Sequence, residues 1–77
     1  MQVSRFQNGG YVAHGLKFNE SFCKLRISVW FDSEGRVLDC EGFDKANRSK
    51  PVPDKVRQVL GAEYGYVVAT YRRNTQG

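Results

Sequence analysis

The clearest pattern in this chain is alternation. Leu25, Ile27, Val29 and Phe31 alternate with Arg26, Ser28 and Trp30, and a second alternating run extends from Val37 to Phe43. A period of two marks a half-buried strand, and two such runs around a glycine-ended turn make a β-hairpin. If Asp32–Gly35 forms a four-residue loop, Phe31 faces Arg36, Val29 faces Leu38 and Ile27 faces Cys40. The inward face then carries Leu25, Ile27, Val29, Phe31, Leu38 and Cys40. Lys24, Arg26, Ser28 and Trp30 point the other way, across from Phe43, Glu41, Asp39 and Val37. In that register Arg26–Glu41 and Ser28–Asp39 are cross-strand polar pairs worth about 0.2–1 kcal/mol each.

Upstream, Val3–Phe6 and Tyr11–Ala13 flank Asn8-Gly9, the dipeptide that most readily takes the two positive φ values of a type I′ turn. This predicts a first hairpin, with His14-Gly15 as a bulge or strand end and Lys17–Phe22 as a connection. Downstream, Asp44–Lys50 reads as a polar loop. Pro53 and Asp54 suit a helix start, by fixed φ and by charge at the positive end of the helix dipole. Val52, Val56, Val59 and Leu60 form a one-sided apolar stripe, and Gly61 is a natural stop. The run Tyr66–Tyr71, rich in β-branched and aromatic residues, predicts a last strand at a sheet edge. Residues 72–77 read as a mobile basic tail. No internal repeat or low-complexity tract stands out.

The expected architecture is one α+β domain spanning residues 1–77. It has an antiparallel sheet of three to five strands, ordered hairpin, hairpin, helix, strand, with one short helix packed on one face. One helix cannot cover both faces of a sheet. The face bearing Trp30 is therefore left over for function.

Composition narrows the options. A chain of 77 residues buries a small core, one that rarely supplies more than about 3–5 kcal/mol. Twelve Lys and Arg against eight Asp and Glu give a net charge of +4, which permits attraction to nucleic acid, to an anionic membrane or to an acidic protein. No apolar run is long enough to span a membrane, and the first residues have no signal-peptide core, so the expected compartment is the cytoplasm with no membrane partner. The expected register separates Cys23 and Cys40 by about 13 Å at ~3.3 Å per residue. That exceeds the ~7 Å a disulfide allows, so both read as reduced thiols.

Catalytic chemistry finds little support in the residue types. His14 is the single histidine. A Cys–His pair would need Cys23 or Cys40 beside it and a third group to orient the ring. Asp39 and Glu41 have partners opposite them and read as ordinary surface anions. Two cysteines and one histidine, without paired spacing, do not make a zinc site, and Gly9-Gly10 lacks the lysine and helix of a phosphate loop. The expectation is therefore no catalytic residue, no metal and no cofactor. Binding fits better. Lys24, Arg26, Trp30, Arg36, Tyr66, Tyr71, Arg72 and Arg73 are the candidate contact residues, because Trp, Tyr and Arg dominate binding hot spots.

Short motifs add a resemblance. Cys23–Ile27, Glu34–Asp39, Lys50-Pro51 and the Val56–Leu60 segment resemble, over about residues 23–71, the C-terminal domain of TolA and more distantly that of TonB. The resemblance implies a hairpin, a helix and a last strand, with partners bound by strand addition at Tyr66–Tyr71. The first 22 residues do not match, and a helical stretch of that family is reduced here to a loop. Energy transduction across an envelope is not carried over. The layout also resembles, loosely, the three-stranded-sheet DNA-binding domains of phage integrases. The expected function is a non-enzymatic binding module, a small accessory or regulatory protein of bacterial or phage type. It would dock a protein partner, acidic in character, through the uncovered face and an edge strand. The alternative is a DNA- or RNA-binding protein that uses the same basic and aromatic face, stacking bases at ~1–3 kcal/mol each.

Overall fold

The structure, a computed structural model, describes residues 1–17 and 24–75. Five strands, β1 (Gln2–Phe6), β2 (Gly10–Lys17), β3 (Arg26–Phe31), β4 (Val37–Phe43) and β5 (Ser49–Lys50), form one antiparallel sheet in chain order. A helical arm follows, made of α1 (Asp54–Val59), a 3-10 turn (Leu60–Glu63) and α2 (Tyr64–Thr75). The α+β class and the antiparallel sheet agree with the sequence reading. The helical part, however, runs far beyond the one short helix expected.

The first hairpin forms as the Asn-Gly signal predicts. Asn8 and Gly9 both take positive φ, at 57° and 81°, and the Gly10 N–H bonds the Gln7 carbonyl. The β2–β3 register slips between Ala13 and Leu16, so His14-Gly15 is a bulge.

The central hairpin pairs differently from the expectation. Asp32 and Arg36 close a three-residue loop, with Asp32 N–H on the Arg36 carbonyl at 3.0 Å and Gly35 N–H on the Asp32 carbonyl at 3.1 Å. Gly35 takes the left-handed position (φ 88°) that a glycine accepts without steric cost. Phe31 then lies opposite Val37, and a further irregularity places Trp30 opposite Asp39 and Val29 opposite Cys40. Two one-residue shifts slide every later pair by two. The pairs are thus Arg26–Phe43 and Ser28–Glu41, not Arg26–Glu41 and Ser28–Asp39. A slip of two preserves facing, so Cys40 still packs on the core. The two residues at the irregularity exchange roles. Leu38, expected inside, is 56% exposed, and Val37, expected outside, packs against the core.

The next connection repeats this turn. Asp32-Ser33-Glu34-Gly35-Arg36 and Asp44-Lys45-Ala46-Asn47-Arg48 share Asp first, a left-handed residue fourth and Arg fifth. In each, one aspartate oxygen accepts two backbone N–H bonds (Glu34 and Arg36; Ala46 and Arg48), and the other accepts the arginine Nε. This short internal repeat, unrecognised in the sequence, turns the expected polar loop into the β4–β5 hairpin. Charge-assisted bonds to Arg36 and to the backbone of Arg48 hold both carboxyls below the usual carboxylate range.

The last strand expected at Tyr66–Tyr71 is instead part of α2. Strand propensity is weak against packing. Leu60, Tyr64, Val67, Val68 and Tyr71 recur at the spacing of one helix face, and all of them pack on the core. Arg72 and Arg73, expected in a mobile tail, fall in the last turn of α2, where cations complement the helix dipole. Val56, Leu60 and Val67 are fully buried against Ile27, Val29 and Phe31. Val59, expected in the buried stripe, is 47% exposed. Aromatic edges close the seam. Tyr11 meets Tyr64 and Tyr71 at 6.1 and 5.3 Å, and Phe31 meets Tyr64 at 5.4 Å, T-shaped pairs worth about 0.5–1.5 kcal/mol each.

Candidate functional site

Side chains alternate along a strand, so the register sorts the sheet into two faces. Tyr11, Ala13, Ile27, Val29, Phe31 and Cys40 turn toward the helical arm. Ser4, Val12, His14, Arg26, Ser28, Trp30, Asp39, Glu41 and Phe43 turn away from it. Among the described residues both helices pack on the first face. The N-terminal hairpin lies beside β3 as part of the same sheet, so it widens the second face and does not fold over Trp30.

Trp30 is half-buried at the middle of this second face. Val12 and Asp39 are its cross-strand neighbours. The His14 ring stands edge-on to the indole, with centroids 5.9 Å apart and planes at 90°. His14 Nδ1 and Ser28 Oγ share a hydrogen bond of 2.9 Å, and Ser28 is only 5% exposed. The β2 bulge aims His14 here. The sequence pattern offers His14 as a bulge or strand end and as a catalytic partner for a cysteine, and does not place it beside Trp30. The Asn8-Gly9 hairpin and the His14-Gly15 bulge, followed through in register, were the signal that could have found it. A Ser–His contact resembles part of a nucleophilic dyad, but Glu41, opposite Ser28, bonds Ser49 Oγ (3.3 Å) instead of orienting the histidine.

At the Arg26 end of the face, Gly15, Arg26, Phe43 and Asn47 line an open groove of about 320 Å³. Arg26 and Phe43 are cross-strand partners. The Arg26 guanidinium donates to Asn47 Oδ1. Asn47 occupies the left-handed position of the repeated turn, at φ 61°. Lys17 lies directly opposite Arg26 on β2.

The candidate contact residues therefore separate. Arg26 and Trp30 share the second face, and exposed Lys24 precedes β3. Arg36 is engaged in its own turn, with Asp32 at 2.7 Å and Glu34 at 3.3 Å. Tyr66, Tyr71, Arg72 and Arg73 belong to α2 on the other side of the sheet. Tyr71 packs on Tyr11 in the helix–sheet seam, while Tyr66 is 56% exposed. Arg5 completes that seam, donating to Tyr11 Oη at 2.7 Å with its guanidinium 4.7 Å from the ring centre. Cys40 is a free thiol, and Cys23 lies outside the described residues. Among the described residues no group of three His, Cys, Asp or Glu side chains converges as a metal site would, and no helix is long and apolar enough to cross a membrane.

In comparisons with known proteins, the chain matches no family model, no curated protein and no solved structure.

Proposed function

We propose that this protein is a non-enzymatic binding module that docks a protein partner through the sheet face centred on Trp30. One observation carries this reading. A half-buried tryptophan sits on the face opposite both helices, with Val12 and His14 beside it and Phe43 farther along the same face. A large aromatic group at the centre of a face with a polar rim is the usual anatomy of a binding hot spot. The longer edge strand, β1, borders the same face.

The charge pattern favours protein over nucleic acid. Asp39 lies opposite Trp30 and Glu41 opposite Ser28, both on this face. A phosphate backbone laid across the indole would meet two carboxylates. Four of the basic or aromatic groups expected to serve nucleic acid lie behind the sheet on α2.

The test is affinity capture from nuclease-treated lysate of the source cells, using wild-type protein and Trp30→Ala, with circular dichroism to verify that the variant folds. A partner retained by the wild type and lost from the folded variant is the expected result. A partner retained equally by both would refute the role of this face. An electrophoretic shift that weakens steeply with salt, as counterion release requires, would move the protein to the nucleic-acid class.

A further inference from the structure

We infer that the groove lined by Gly15, Arg26, Phe43 and Asn47, with Lys17 opposite Arg26 on β2, receives a carboxylate of the docked protein, from an acidic side chain or a chain terminus. The inference rests on the docking reading above and deepens it.

Its first support is a like-charge pair. Lys17 and Arg26 stand directly opposite each other on β2 and β3, both exposed. Directly opposed side chains have Cβ atoms about 4.5–5.5 Å apart, and like charges at that spacing destabilise a sheet. The ion pairs of the described residues are Arg36 with Asp32 and Glu34, and Arg48 with Asp44, so none neutralises either cation. A bound anion would relieve this repulsion.

The second support is preorganisation. Asp44 locks the β4–β5 turn through two backbone bonds and the Arg48 Nε. The locked turn holds Asn47 in a left-handed conformation that costs a non-glycine residue energy, and its Oδ1 takes the Arg26 guanidinium. Glycine fills the same position in the sister turn. Asparagine therefore adds a tether that aims an exposed arginine at the groove. An arginine held in place loses less entropy on meeting an anion, and its remaining N–H groups suit a two-oxygen acceptor.

The chemistry around the groove selects the anion. Phe43 supplies an apolar wall beside the cations, and Glu41 and Asp39 follow at alternate positions along β4. Those two carboxylates lie about 7 and 14 Å farther along, at ~3.4 Å per residue. A single carboxylate on an otherwise mixed peptide satisfies both ends, whereas a run of phosphates would be repelled at the second. The complementary segment carries an acidic residue over Lys17 and Arg26, an apolar one over Trp30 and a basic one toward Asp39 or Glu41.

The test displays a random peptide library against the full-length protein and then measures selected peptides by fluorescence anisotropy. Selected peptides should share an Asp, Glu or free C-terminus. Replacing that residue by its amide, or making Arg26→Gln, should each weaken binding about tenfold or more, the worth of one charge-assisted hydrogen bond. Asn47→Gly keeps the turn conformation and removes only the tether, so it should keep the thermal midpoint while weakening acidic peptides severalfold. Peptides that require Trp30 but show no acidic preference and survive Arg26→Gln would overturn this inference and leave the docking reading standing. A library that yields no Trp30-dependent binder would overturn both. Retention of a sixteen-nucleotide oligothymidine at low salt, lost in Arg26→Gln, would reassign the groove to nucleic acid.

Discussion

Leu60→Ala and Leu38→Ala remove the same atoms from two leucines that the sequence pattern places in the core, yet they should behave differently. Leu60 is fully buried between the helical arm and the sheet, in contact with the central cluster. Leu→Ala at such a site loses the transfer free energy and leaves a cavity, for a cost of about 2–5 kcal/mol. A domain of this size has only about 3–5 kcal/mol to lose. Leu38, 56% exposed at the irregularity of β4, has little burial to forfeit, and its truncation should cost no more than about 0.5–1 kcal/mol. Urea unfolding followed by far-ultraviolet circular dichroism separates these outcomes. With a slope near ~1 kcal/mol per molar, Leu60→Ala should lower the midpoint by about 2 M or more, or unfold the chain in buffer. Leu38→Ala should move it by less than about 1 M. If Leu38→Ala is the more damaging of the two, the hairpin keeps the simple register of its alternation, and the face assignments above fail with it.

Ala69→Pro, at an exposed position inside α2, should cost about 3 kcal/mol in the same assay, because proline breaks a helix interior; little change would indicate an extended segment. Gly10→Ala should destabilise by about 1–3 kcal/mol in a thermal melt, because its Cβ would lie 2.2 Å from the Phe31 carbonyl oxygen and backbone would have to move on both sides; an unchanged melt would contradict the close approach of β2 to β3. Asp32 and Asp44 have carboxyls lowered in the folded state, so the unfolded chain binds more protons as pH falls. Their contribution is complete above the ordinary carboxylate pKa and is lost as pH drops through the lowered folded values. Stability should therefore fall below about pH 4, and Asp32→Asn with Asp44→Asn should flatten that acid limb in urea melts at stepped pH.

Local chemistry made the sheet legible. Asn8-Gly9, the His14-Gly15 bulge, Gly35 and the alternation of β3 each state a conformation through neighbouring residues alone, and each appears in the structure. The same alternation placed Trp30 and Arg26 on the face away from the core, because a period of two survives a register slide of two. The repeated Asp-x-x-(Gly/Asn)-Arg turn was also written in the sequence, but its meaning depends on which oxygen of one aspartate meets which N–H group.

Other features were decided only in three dimensions. Tyr66–Tyr71 carries residues that favour a strand, and burial of Tyr64, Val67, Val68 and Tyr71 against the sheet makes it a helix. Leu38 and Val37 exchange faces because the length of a turn and one irregularity are settled by the partner strand. The contact residues expected together divide between the two faces because Tyr66, Tyr71, Arg72 and Arg73 belong to α2, behind the sheet from Trp30 and Arg26. Local preference amounts to tenths of a kcal/mol per residue, while burying one large side chain is worth about 1.5–3 kcal/mol, so packing prevails wherever the two disagree.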